Sequence, residues 1–356
     1  MATFFSILFA IFIFSFLIFI HEFGHFITAK LSGVQVNEFA IFMGPAIWKK
    51  QIGETLYSIR CIPIGGYCAM EGEDEQSENP RSFQNAKWWK RLIILVAGSL
   101  MNFLVGLLLI AVVAIPAQQD VIPEIYHFED YATVDDYGLQ VGDRFVEIDG
   151  SKILMMSDVE MLLMKNPGDY HDIVVERDGK LVELDNFYLE RHEVTLEDGK
   201  TAMRCGFAYG RAEEFTFGSK LKFIWNTAVD WIRVVFWSLE MLFNGQASVS
   251  DLSGPVGIVQ QMGQVTNASE TVGMAVLNLL YFGAFIAVNL AVMNLLPIPA
   301  LDGGRSVALL LTVAIEGITR KKLNPKYEGY IHGAGMILLL ILMALIMFKD
   351  VIFLFK

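Results

Sequence analysis

Cysteine is scarce in this 356-residue chain: Cys61, Cys68 and Cys205 are the only three, and no two of them have CxxC spacing. That count excludes a disulfide framework and a cysteine-ligated zinc site. Basic residues are also in short supply, 27 Lys and Arg against 39 Asp and Glu, and a formal net charge of −12 argues against a nucleic-acid partner. Charge of either sign reaches only 19%, whereas 54% of residues are hydrophobic and mean hydropathy is +0.46, too apolar for an ordinary soluble protein. The apolar run that opens the chain has no basic leader and no small-residue cleavage site before His21, so it reads as a retained membrane segment, not a signal peptide.

What the chain does have is apolar length. Four stretches can cross about 30 Å of hydrocarbon: residues 4–27, 92–115, 272–301, and 334–348 with a short extension to 355. Basic residues fix their orientation. Lys30, Lys49, Lys50, Arg60, Arg81, Lys87, Lys90 and Arg91 follow the first span, and Arg305, Arg320, Lys321, Lys322 and Lys326 follow the third, so both segments are expected on the cytoplasmic side. Residues 116–271 hold 27 Asp and Glu against 12 Lys and Arg and belong outside. Within that block, residues 219–243 resemble a span, but Lys222, Asn226, Asp230, Arg233 and Glu240 recur along one face, which suits a helix lying in the outer interface.

At the end of the first span stands His21-Glu22-Phe23-Gly24-His25. Residues four apart share a helix face, so His21 and His25 can present two imidazoles to one Zn²⁺ with Glu22 beside them as a base toward water. Ionisable groups at membrane depth are costly, and a cluster of three is a functional site by default. The first and third spans run in the same direction, so their C-terminal ends lie at one depth. The third ends in Asn294-Leu295-Leu296-Pro297-Ile298-Pro299-Ala300-Leu301-Asp302-Gly303-Gly304, which brings the Asp302 carboxylate to the level of the two histidines as a third ligand; an Asx turn or helix cap is the alternative.

Other stretches say less. Residues 34–75 alternate in short runs broken by glycine, suggesting β-hairpins, and Gly65-Gly66-Tyr67 is either an edge open to an extended peptide or a plain turn. Ala97, Gly98 and Ser99 allow close packing in the second span, where Asn102 needs a polar partner or sits near the site. Residues 121–210 show strands, a short helix near 157–164 and a hairpin turn at Asp178-Gly179. The run from Asp136 and Tyr137 through Gly142 and Asp143 to Gly150 resembles a PDZ signature, in a domain that binds peptides or only restricts access.

The fold expected is thus a polytopic α-helical membrane protein: four transmembrane helices, a cytoplasmic-side β-hairpin region and an inserted extracytoplasmic α+β PDZ domain. Its parts are a membrane part over 1–115, the PDZ domain over 116–215, an interfacial amphipathic helix with its connecting segment over 216–271, and a second membrane part over 272–356.

Taken together, the HEFGH motif, the 294–304 stretch, Ser253-Gly254-Pro255-Val256-Gly257 and the loop Pro63 to Tyr67 resemble the site-2 protease family, closest to the bacterial regulator of sigma-E type. The chain departs from that pattern in having room for one PDZ domain instead of a tandem, and in Ser99 where many relatives have Pro. The resemblance implies regulated intramembrane proteolysis: a zinc metalloendopeptidase in the bacterial inner membrane, cleaving transmembrane segments of single-span proteins such as anti-sigma factors or signal-peptide remnants. An upstream site-1-type protease acts first on the same substrate. It further implies that His21, His25 and Asp302 bind zinc, that Glu22 is the general base, and that Asn289, Asn294, Asn102 and the strand at Gly65, Gly66 and Tyr67 hold the substrate. A cation carrier would need a polar path through the second and fourth spans, which offer little beyond Asn102, and an inert adaptor would have no use for Glu22.

Overall fold

A computed structural model of the chain describes residues 2–73, 77–130, 132, 138–166, 168–195, 201–245, 254–269, 271–320 and 326–354; Asp136, Tyr137, Ser253, Lys321 and Lys322 lie outside them. In chain order the elements are α1 (Ala2–Ser32), β1 (Val36–Ile52), β2 (Thr55–Met70), α2 (Trp88–Ala114), β3 (Gln119–Phe128), β4 (Arg144–Ile148), β5 (Ser151–Lys152), α3 (Met156–Lys165), β6 (Tyr170–Arg177), β7 (Lys180–Tyr188), β8 (His192–Thr195), β9 (Thr201–Arg204), β10 (Phe207–Glu214), α4 (Phe217–Phe243), α5 (Pro255–Asn267), α6 (Val272–Leu295), α7 (Asp302–Thr319) and α8 (Lys326–Leu354). They form two compact units, one of residues 1–113 with 231–356 and one of residues 114–230.

Four helical stretches of the first unit are long and apolar enough to cross a membrane: Ile7–Ser32, Trp88–Ala114, Val272–Leu295 and Gly329–Asp350. The central one is α1. Its outer half packs Ala10, Ile13 and Leu17 against Met262 of α5 and Leu279, Ile286 and Ala287 of α6. Its last turns join Val36, Phe39, Cys68 and Met70 of the hairpin, Ile94 and Leu95 of α2 and Leu309 of α7 in a second core. The helix stops where its sequence says it should: Gly33 takes φ +82° and donates to Lys30 O, Val34 donates to Ala29 O, and Val34 and Ala29 are both buried, the bonds and apolar contact of a Schellman cap.

β1 and β2 form one long antiparallel hairpin, not several short ones. The glycines expected to break it are absorbed as register irregularities, with Phe42 (φ +70°), Gly44 (+84°) and Gly65 (+83°) in left-handed conformations. At its turn Glu54 accepts from Lys30 at 2.7 Å and from both terminal nitrogens of Arg81 at 2.6 and 2.9 Å. Farther along, Ser15 Oγ of α1 donates to Pro63 O at 3.1 Å, so β2 runs back beside α1 past the level of His21.

Two helices differ from expectation. The third apolar span ends at Leu295, not Leu301, because Leu296 leaves the helix ahead of Pro297; Asp302 then opens a new helix, α7, where a loop was expected. The segment before α6 also contains α5, whose Met262 is fully buried against α1. Its start is capped by Asp350, the buried carboxylate near the end of α8, which accepts from Gly257 N at 3.1 Å; that bond accounts for an acidic residue at the end of an apolar helix.

In the second unit β10, β3, β4, β6 and β7 line up as neighbours, with β5 paired to β4, and β8 pairs β9 separately. β6 and β7 turn at Asp178 (φ +50°) and Gly179 (+74°), as a Asp-Gly pair between alternating strands predicts. Ile125, Leu139, Phe145, Ile148, Ile173 and Val175 fill its core. Arg177 forks onto the fully buried Asp143 at 2.6 Å from both Nε and Nη2. The polar face of α4 is partly used within this unit: Asn226 donates to Leu154 O, and Asp230, 4% exposed, lies 3.5 Å from Ser157 Oγ. In the first unit, Trp231 packs edge-on against Tyr281 and Phe285 of α6.

Candidate metal centre

His21 and His25 stand one turn apart on α1 with their Nε2 atoms 3.2 Å apart and their rings edge to face. Asp302, the first residue of α7, brings Oδ2 to 3.0 Å from His21 Nε2 and 3.2 Å from His25 Nε2. The three are the one group of metal-ligating side chains converging in this way among the described residues.

Two observations fit a cation between them. Tetrahedral zinc with nitrogen and oxygen ligands at its usual bond lengths separates them by roughly 3.3 Å, close to the spacings found here. The second concerns protons. His25 Nδ1 lies 2.8 Å from Ile94 O, an atom that can only accept, so Nδ1 carries a proton and Nε2 is the nitrogen turned to Asp302 and His21. Two ring nitrogens and one carboxylate oxygen thus meet at 3.0–3.2 Å, and the buried Asp302 Oδ2 has no hydrogen-bond partner among the described residues, an arrangement that a positive ion resolves.

The elements that bring these groups together are close-packed at glycine. A Cβ on Gly24 would meet Ala97 O at 2.6 Å, and one on Gly98 would meet His25 Nε2 at 2.6 Å and His21 Cε1 at 2.7 Å, so α1 and α2 touch through the two positions where neither has a side chain. Gly303 and Gly304 do the same for Asp302: a Cβ on either would stand 2.2 Å from Leu295 O or Ile298 O, because the loop folds over the first turn of α7. Here the Gly-Gly pair is a requirement of packing, which is why a helix begins at two residues that more often end one.

Glu22 lies beside β2. A Cβ on Gly66 would be 3.7 Å from Glu22 Cγ and 3.0 Å from Ala40 O, so the strand passes this carboxylate side chain with little room to spare. Tyr67 is turned into a polar cluster of the hairpin, bonded to Arg60, which also holds Glu38 at 2.7 Å. Asn102 lies one turn beyond Gly98 on the same face of α2, 1% exposed, and its Oδ1 has no hydrogen-bond partner among the described residues. Asn289 donates to Phe285 O of its own helix at 2.7 Å, and Asn294, half-buried, sits in the last turn of α6. Five residues apart, the two asparagines lie about 140° apart around an α-helix and do not share a face.

Sequence reasoning missed the partners of these groups. The Ile94 carbonyl leaves no trace in a side-chain pattern. His332, buried in α8 and accepting from Ala300 N at 3.0 Å, could have been found as a histidine within an apolar span.

Comparison with known proteins agrees with this geometry. Residues 9–342 match the model of peptidase family M50. A protein of Clostridium acetobutylicum named as a candidate zinc metalloprotease is 35% identical over 353 residues, covering 99% of this chain and 98% of its own length. Zinc metalloprotease RasP of Shouchella clausii and regulator of sigma-W protease RasP of Bacillus subtilis are each 27% identical, covering 97% and 96% of this chain and 98% and 97% of their own. Their alignments run over 425 and 426 positions, so the RasP proteins carry insertions relative to these 356 residues. With an HExxH helix, an aspartate brought against both histidines from the start of a distant helix and a family match from one end of the chain almost to the other, the protein belongs to peptidase family M50, the site-2 proteases, and is a membrane zinc metalloprotease.

Proposed function

We propose that the protein is an endopeptidase that cuts the transmembrane segments of single-span membrane proteins, anti-sigma factors or signal-peptide remnants among them, after a site-1-type protease has trimmed the outer part. It works in the bacterial cytoplasmic membrane with its site toward the cytoplasmic face. The acidic second unit is extracytoplasmic and PDZ-like, and sorts substrates without taking part in hydrolysis. The reading is supported by the lysine and arginine bias of the segments after the first and third spans, and by the name of the Bacillus subtilis relative, regulator of sigma-W protease.

His21, His25 and Asp302 hold the metal, and Glu22 is the general base. Bound zinc would supply Lewis acidity to the scissile carbonyl and lower the pKa of water. Glu22 accepts the proton from the attacking water and returns it to the leaving amine. Ile94, through its carbonyl, keeps His25 in the tautomer that presents Nε2. A transmembrane substrate must be unwound before its carbonyl can be attacked, and in hydrocarbon each released backbone group needs a new partner. The strand at Gly65, Gly66 and Tyr67 supplies these on one side by strand pairing, and the amides of Asn289, Asn294 and Asn102 supply them on the other.

The observation that carries the reading is the convergence of His21 Nε2, His25 Nε2 and the otherwise unbonded Asp302 Oδ2 within 3.0–3.2 Å. Glu22→Gln and Asp302→Ala test it with purified protein and a panel of single-span peptides. Glu22→Gln is expected to keep zinc and lose roughly 10²- to 10⁴-fold in turnover, and Asp302→Ala to lose zinc. Full zinc occupancy and unchanged cleavage in folded Asp302→Ala would remove Asp302 from the site.

A further inference from the structure

Asp302 is the first residue of α7, so its carboxylate goes where the preceding loop sends it. That loop has few bonds of its own: Leu296 donates to Met293 O, Ile298 to Leu296 O and Leu301 to Ile298 O, while Pro297 and Pro299 have no N–H to give. Ala300 takes φ +82°, a left-handed conformation disfavoured for any residue with a Cβ. Something outside the loop must hold it there.

The holder is α8. The Ala300 N–H donates to Nδ1 of His332 at 3.0 Å. A ring nitrogen that accepts from an amide carries no proton, so His332 is the neutral tautomer with its hydrogen on Nε2. Three residues along on the same face, Gly335 lets α8 lie directly on the loop: a Cβ there would stand 2.4 Å from Pro299 Cβ and 2.7 Å from Pro299 C and O. Around this grip the helix is open. Ile331 and Met336 are 58% and 51% exposed, His332 only 8%, and a Cβ on Gly333 would meet nothing within 4 Å.

We propose that His332 is a positioning residue of the metal centre: by accepting from Ala300 it fixes the left-handed turn two residues before Asp302, with Gly335 setting how closely α8 presses on Pro299, and so directs the Asp302 carboxylate at the histidines. The inference rests on Asp302 being a zinc ligand.

The test uses the full-length protein, with zinc release to a chelator and the visible spectrum of the Co²⁺-substituted enzyme as readouts beside activity. His332→Leu removes the acceptor and is expected to lose zinc about tenfold faster, shift the Co²⁺ spectrum and lower kcat with little change in KM. His332→Asn, whose Oδ1 can replace Nδ1 as acceptor, should recover most of each. Gly335→Ala should behave like His332→Leu, whereas Gly333→Ala on the same helix should match the parent. If His332→Leu does not fold, the glycine pair decides alone: equal effects of Gly335→Ala and Gly333→Ala overturn the proposal. A folded His332→Leu with parental zinc release and spectrum also overturns it. Asp302→Ala separates the two readings. Loss of zinc there with parental behaviour in both α8 variants defeats only the positioning role, while parental zinc and spectrum in Asp302→Ala defeats the ligand assignment itself.

Discussion

Arg305, one turn into α7 from Asp302, is ion-paired with Glu73, three residues past the end of β2. The helix that begins at Asp302 is thereby tied to the hairpin that passes Glu22. Both side chains are well covered, 25% and 19% exposed, so the pair is screened less than a surface ion pair. Removing one partner leaves the other charge poorly solvated, which is costly.

Glu73→Gln and Arg305→Met are each expected to lower kcat/KM by about tenfold, and the double variant to lose less than the product of the two. A double-mutant cycle on cleavage of one peptide reads this coupling, about 1 kcal/mol or more for groups in contact. Strictly additive losses would show that the pair does not link hairpin to helix.

Gly98→Ala should abolish both zinc binding and activity, since the added carbon lies 2.6 Å from His25 Nε2 and 2.7 and 2.8 Å from Cε1 and Nδ1 of His21, displacing both rings. Its neighbour provides the contrast. Ser99 is fully buried and its Oγ has no partner among the described residues, so Ser99→Ala is expected to be neutral or to stabilise by about 1 kcal/mol, read by thermal unfolding in detergent.

If β2 and the asparagines replace hydrogen bonds of an unwound substrate, Gly66→Pro and Asn294→Ala will lose cleavage while keeping zinc. Substrates with a Gly or Pro near the cut will be hurt less, because less unwinding remains to be offset. Equal losses on helix-weakened and helix-stable substrates would count against the unwinding account.

Arg81 and Lys30, bonded to Glu54 at the hairpin turn, hold its carboxyl well below the usual carboxylate range, at about 2. A depressed folded-state pKa contributes stability that is fully present above the unfolded value near 4.5 and is lost as pH falls through about 2. The protection factors of the turn amides, corrected for the intrinsic exchange rate, should therefore fall between pH 4.5 and 2 in the parent, and Glu54→Gln should flatten that dependence. Glu54 is 27% exposed, so the effect will shrink with added salt.

Much of this arrangement was legible from residues alone, and the reason differs by element. His21, Glu22 and His25 are legible because the helical repeat fixes which side chains share a face, and Asp302 because span parity needs only hydropathy and charge. The four apolar helices follow from the same counting. α7 was hidden because Gly303 and Gly304 usually end helices, and only the carbonyls of Leu295 and Ile298 pressing on them explain their presence at the start of one. α4 was half legible: its polar positions Asn226 and Asp230 could be read from the helical repeat, but their partners Leu154 and Ser157 are ones no periodicity reveals. Ile94 and His332 act through backbone atoms far along the chain, and such pairings are set by tertiary packing.

The place of Asp302 has an electronic consequence. It occupies the first turn of α7, where Leu301 offers no side-chain cap, so its carboxylate sits at the positive end of an 18-residue row of aligned peptide dipoles. Charge that those amides draw from the carboxylate is charge it does not donate to a metal. An ion held by His21, His25 and this aspartate would be left more electron-poor than the same three ligands on an isolated loop would leave it, so the direction of one helix would tune the acidity of the metal it helps to hold.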